Sequence, residues 1–259
     1  MKRRSLFEGK VGACAVGLVG TYALALIATA PAALLDAGLQ RASEGSLRLA
    51  EAQGTLWSGS GQIEMRDKGG RAGVASSLSW RVVPESMLRG HLVCEVELGH
   101  AVRRFPVTLS LSRIELANAD LSLPATVLGL GVPRLAPLGL TGEVLIHVAS
   151  LSIARDAIVG SATLQWRTAG SALTPVSPLG DYEVRLDGEG TKLHAVLRTI
   201  EGPLQLDGTG TWSNGGPPSF VATARVPAQH QEQLAPLLRL IAVERGAGSF
   251  ELNSNKSAF

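Results

Sequence analysis

The sequence predicts a mostly β protein, with one N-terminal transmembrane helix, an antiparallel sheet and a short helix near the C-terminus. Three observations predict it. Residues 11–35 contain no charged side chain. From residue 36 onward the dominant hydrophobic period is two. Near the C-terminus, Leu234, Leu237, Leu238 and Ile241 fall on one helical stripe.

The apolar run VGACAVGLVGTYALALIATAPAALL, residues 11–35, comes first. About 20 apolar residues at a helical rise of ~1.5 Å match a bilayer core of roughly 30 Å. Lys2, Arg3, Arg4 and Lys10 precede it, so residues 1–10 are expected to stay cytoplasmic and the body to be exported. Ala28-Thr29-Ala30 resembles a signal-peptidase site, but Pro31 would follow the cut and the run is longer than a signal-peptide core. The expectation is an uncleaved, single-pass anchor. Residues 37–45 extend that helix outward, and the body occupies 36–253 with a short tail at 254–259.

In the body, Leu78, Trp80 and Val82 alternate with polar residues. So do Val107, Leu109 and Leu111, then Val144, Ile146 and Val148, followed out of phase by Leu151 and Ile153. Ala162, Leu164 and Trp166 continue the pattern, as do Tyr182, Val184 and Leu186. Strand side chains alternate between faces, so each run is a strand with one dry and one wet side. Asp67 to Gly70, Asp187-Gly188, Asp207-Gly208 and Asn214-Gly215-Gly216 are the expected turns. The apolar stretch 127–140, with its prolines and glycines, reads as a packed loop capping the sheet, with an exposed apolar loop as the alternative. The last helix is expected over 229–244, with Pro236 in its first turn, and a last strand over 249–253.

Composition narrows the function classes. The net charge of +2 is concentrated at the N-terminus, so a near-neutral body gives no electrostatic reason for a nucleic-acid partner. Cys14 and Cys94 form no CxxC or Cys/His cluster, and no metal site is expected. His91, His100, His147, His194 and His230 are scattered, and no nucleophile motif or phosphate loop occurs. The sequence therefore predicts no catalytic residue, no cofactor and no enzyme activity. A charged docking patch around Glu95, Glu97, Arg103 and Arg104 is weighed against a merely solvated face.

The four tryptophans are the candidate structural or partner-contact residues. Trp80 and Trp166 lie in LSWR and LQWR, and Trp57 and Trp212 in GTLWS and GTWS. The echo suggests a sheet of repeated hairpins. In GTLWSGSGQI, residues 54–63, Gly59 and Gly61 suggest a bulge or close backbone approach, and Trp57 an anchor in the first sheet segment.

The order of these segments resembles the type II secretion system protein N family. The basic N-terminus and single span are followed by GTLWSG and the Leu78-x-Trp80 strand. Leu123-Pro124, Leu140-Thr141-Gly142-Glu143, PLGDY at 178–182, GPLQLDGTGTW at 202–212 and LAPLLRLI at 234–241 complete the set. The resemblance implies an inner-membrane accessory component of the machine that exports folded proteins from the periplasm of Gram-negative bacteria. Its implied partners are other inner-membrane parts of that machine. The family is similar to AsmA-like envelope proteins, which implies an extended, curved sheet forming an apolar groove and, as the alternative function, handling of lipid or hydrophobic segments.

Overall fold

A computed structural model of the chain describes residues 18, 20–22, 25–66, 72–99, 101, 103–131, 133–213, 219–241, 243–246 and 249–253. Its strands are β1 (Leu47–Gly54), β2 (Ser58–Arg66), β3 (Ala72–Val83), β4 (Leu92–Leu98), β5 (Phe105–Leu109), β6 (Arg113–Pro124) and β7 (Leu140–Ala154). They continue as β8 (Ile158–Ser171), β9 (Gly180–Gly190), β10 (Lys192–Glu201), β11 (Gln205–Ser213), β12 (Ser219–Arg225), β13 (Val243–Gly246) and β14 (Ser249–Asn253). The helices are α1 (Ala33–Ala42), α2 (Thr126–Gly131) and α3 (Gln231–Ile241). All the strands join one 14-stranded antiparallel sheet in sequence order, except that β14 lies between β12 and β13. Each strand pairs with its chain neighbour, so hairpin closure builds almost the whole sheet.

The register puts the apolar positions on one face, as the alternation requires. Trp80 pairs with Val96, and Val96 with Phe105. Further along, Val144 pairs with Trp166 and Trp166 with Tyr182. The phase change after Val148 is a bulge between Val148 and Ser150. Next to it on β6, Asn118 takes a φ of +52°, so that Ala119 pairs with Val148 and Leu116 with Leu151. The two irregularities shift adjacent strands together, and the dry face survives the break.

Three packed regions line that face. Leu234, Leu237 and Leu238 of α3 are buried with Leu138, Val144, Tyr182 and Leu204. Phe105, Ala119 and Val148 form a middle cluster, and α1 packs over Leu49 and Trp80 through Leu35 and Leu39. The 127–140 stretch folds as α2 and a 3-10 segment, Pro133–Leu138, with Val127, Leu138 and Leu140 buried, so it caps the sheet.

Several expectations need correction. Asp187-Gly188 and Asp207-Gly208 lie inside β9 and β11 and are not turns. A Cβ on Gly188 would sit 2.6 Å from the Ile158 carbonyl oxygen, and one on Gly208 would sit 2.5 Å from Ala222 Cβ. These glycines serve close strand packing. The turn candidates at 67–70 and 214–216 lie outside the described residues. Pro236 falls inside α3, past its first turn, because a 3-10 turn at Ala228–His230 precedes a helix beginning at Gln231.

The expected span, 11–35, falls partly outside the described residues, and the tails 1–10 and 254–259 lie wholly outside them. Among the described residues, no helix is long and apolar enough to cross a membrane. Nor does helix run unbroken to residue 35. Residues 25–28 are helical, Pro31 interrupts, and α1 is a separate helix. Proline lacks the N–H that would bond the carbonyl four residues back, and its ring crowds that carbonyl.

Candidate functional site

The break at Pro31 is joined to the sheet by the GTLWS segment. Pro31 has no N–H to give to Ile27, and the Trp57 indole N–H donates to the Ile27 carbonyl at 2.8 Å. A longer bond from the Ala30 N–H reaches the same oxygen at 3.3 Å. Leu56 N–H donates to Ala30 O at 2.8 Å, Ala32 N–H donates to Gly54 O at 3.2 Å, and Pro31 bridges to Thr55. Residues 54–57 thus form a clasp that fixes the apolar N-terminal segment to the β1–β2 hairpin. Gly54 makes this turn with a φ of +92°. Gly59 lets the Trp80 ring lie on the backbone, since a Cβ there would come within 2.5 Å of the ring. The glycines give the close approach that the sequence suggested.

Trp80 and Trp166 share a geometry. Each indole N–H donates to the carbonyl of a threonine 25 residues earlier, Trp80 to Thr55 at 3.2 Å and Trp166 to Thr141 at 2.9 Å. The LSWR and LQWR echo therefore marks a repeated structural device. GTLWS and GTWS do not correspond, because Trp57 sits in a hairpin turn and Trp212 inside β11. Trp166 also packs on the Tyr182 ring at 5.7 Å. Burial pushes the Tyr182 phenol well above its ordinary range, and its hydroxyl donates to Leu204 O at 2.9 Å.

Trp57 and Trp80 come together in an apolar groove of about 560 Å³. Leu34, Leu35 and Leu39 of α1 form one wall, and Val82, Cys94 and Val107 of β3 to β5 form the other. Burial raises the pKa of the Cys94 thiol, so it is a weak nucleophile. Trp212 lines a separate cavity of about 300 Å³ with Ile153 and Ile158. The wall from α1 was missed in the sequence because α1 lies inside the uncharged run and its outward continuation. Pro31, followed by Leu35 and Leu39 one turn apart with Asp36, Gln40 and Arg41 facing elsewhere, was the available signal.

The other face is polar. Glu183 is buried, with 5% of the residue exposed, and Arg185 Nε and Arg198 Nη2 each approach its Oε1 at 2.8 Å. Burial pushes its pKa up. Hydrogen bonds from Arg185 and Gln165 and the charges of both arginines outweigh this and hold it below the usual carboxylate range. His147 is exposed as expected, but it has a partner that the sequence concealed: Asp120 Oδ1 lies 2.5 Å from Nδ1, and Arg103 lies 3.7 Å from the same carboxylate. The β6–β7 register joins residues 27 apart. Arg104 pairs with Glu97 at 2.7 Å, which fits a solvated, internally paired surface. Among the described residues, no group of three or more His, Cys, Asp or Glu side chains could hold a metal ion. The chemistry this arrangement supports is apolar binding on one face and polar contact on the other.

Residues 45–253 match the family model of type II secretion system (T2SS) protein N. The match begins just after α1 and ends with β14, and so takes in every strand of the sheet. No curated protein and no solved structure matched the chain.

Proposed function

The chain belongs to the type II secretion system protein N family, and we propose that it is an inner-membrane accessory component of that machinery, supporting export of folded proteins from the periplasm across the outer membrane. In this reading the part of the apolar run before Pro31 anchors it in a single pass, the N-terminus is cytoplasmic and the β-body is periplasmic. It works by docking other inner-membrane parts of the machine and not by catalysis. The carrying observation is the family match over the whole sheet. The clasp at Trp57 supports the anchored arrangement, since it ties the apolar segment rigidly to the body. The test is removal of the chain from its native cell: secreted proteins should accumulate in the periplasm, and crosslinks from wet-face positions such as Thr163 and Arg198 should reach other secretion components. Normal secretion and an intact machine without the chain would sink the proposal.

A second reading is favoured by the groove under α1. There the protein would hold lipid or a hydrophobic segment in the envelope, as the AsmA-like likeness suggests. Apolar material retained by the chain after mild extraction, and lost when the groove is filled, is the expected result.

A further inference from the structure

The groove and its mouth specify what would occupy it. Among the described residues that line it, the only polar side-chain groups are those of Trp57, Trp80 and Cys94. Both indole N–H groups are already spent on the Ile27 and Thr55 carbonyls. A polypeptide entering here would bring backbone N–H and C=O groups with no partners on the walls, and buried unpaired polar groups are costly. A hydrocarbon chain brings none.

From the groove-lining Leu92 and Leu109 a rung of aliphatic side chains continues outward over the next strands: Leu92 pairs with Leu109, Leu109 with Ile114, and Ile114 with Ile153. Leu109, Ile114 and Ile153 are about two-fifths exposed, and Leu111 at the adjoining hairpin tip is fully exposed. By register this rung lies at the strand ends beside Val82, whose N–H donates to the Trp57 carbonyl at 2.7 Å. The rim therefore lies at the end of the sheet where the clasp receives the N-terminal segment, whose Leu18, Tyr22, Leu26 and Ile27 are all exposed.

We propose that the groove between α1 and strands β3 to β5 binds one acyl chain of a membrane phospholipid, entering over the rim of Leu109, Ile114 and Ile153. This rests on the anchored reading, because the segment before Pro31 holds the rim against the bilayer. It also narrows the second reading to one ligand class. The head group stays outside, so recognition is of the hydrocarbon and not of head-group charge.

The test uses the full chain with Cys14→Ala, leaving Cys94 the sole thiol, in nanodiscs of phosphatidylethanolamine and phosphatidylglycerol whose acyl chains end in a diazirine. Irradiation should crosslink Leu39, Val82 and Val107, and Cys94 should be shielded from a bulky maleimide. A Cβ on Gly38, which lines the groove, meets nothing within 4 Å, so Gly38→Phe should fill the groove without disturbing the fold. That variant should keep its circular dichroism and its crosslinks before Pro31, and lose those in the groove. Crosslinks confined to residues before Pro31, with Cys94 open to maleimide, would show an empty groove and overturn the proposal. A shielded Cys94 without groove crosslinks would overturn the acyl chain as occupant. A chain that does not float with the discs would overturn the anchored reading, and with it delivery from the bilayer.

Discussion

At the residue scale, Pro31 and Trp57 act as a pair. Proline removes a backbone donor, and an indole 26 positions later supplies one to the same carbonyl. Trp57→Phe keeps most of the apolar surface and deletes only that donor. A neutral hydrogen bond contributes about 1 kcal/mol, so global stability should change little. Amide exchange at residues 27–32 should nonetheless speed up, because the joint loses its side-chain tie. Exchange mass spectrometry measures this, and unchanged protection there would refute the indole's part in the clasp. Glu183 gives a second prediction. Its folded-state pKa lies below its unfolded value, so it stabilises the fold above the unfolded value, and the contribution is lost as pH falls through the folded one. Glu183→Gln should therefore be less stable than the parent near neutral pH, and the two should converge as pH falls below about 4. Denaturant midpoints across that range decide it, and a constant gap would refute the assignment.

At the element scale, α1 guards the sheet edge. Among the described residues, β1 pairs only with β2. Its outward N–H groups at Leu47 and Leu49 donate to Ser43 Oγ at 2.9 Å and Asp36 Oδ1 at 2.8 Å. Open sheet edges invite pairing with another chain, and here side chains of the helix and its C-cap occupy the donors. The hydrogen bond from Gln40, then that from Leu49, hold the Asp36 carboxyl below its ordinary range against the effect of burial. Asp36→Ala should cost about 1–3 kcal/mol, the penalty for an unsatisfied amide. It should also promote self-association, visible by sedimentation. A monomeric variant of unchanged stability would show that water serves the edge equally well. Neither the guard nor the groove wall was legible in the hydropathy of the sequence, although Pro31 and the Leu35–Leu39 spacing marked where α1 begins. With no charge between residues 11 and 35, hydropathy alone could not separate α1 from the segment before it. The strands were legible because burial on one side leaves a period of two in Leu78, Trp80 and Val82 or in Tyr182, Val184 and Leu186. The Asp-Gly pairs misled, because glycine serves close packing between strands as readily as it serves turns. The Asp120–His147 pair was hidden because register is set by whole strands and not by local residues.

At the scale of the whole molecule, a sheet built by sequential pairing has no single core. Its stability resembles that of a repeat array, in which each unit depends on its neighbours. The clusters differ in how they connect. Ile146 packs against both the α3 region and the Phe105 cluster. The α1 cluster around Leu49 and Trp80 shares no residue with either and is joined to them through the strands. Damage under α3 should therefore spread to the middle of the sheet before it reaches β1 to β3. Leu238, fully buried on α3, is the place to test this. Leu238→Ala should cost roughly 2–5 kcal/mol, the usual range for a buried leucine. Its effect on amide exchange should be graded: strongest in β7 to β12, weaker in β5 and β6, and absent in β1 to β3, where α1 supplies the packing. A uniform loss of protection would mean that the sheet unfolds as one cooperative unit. A graded loss would mean that the clasp and groove can hold their shape while the C-terminal half opens, so binding at one end need not depend on stability at the other.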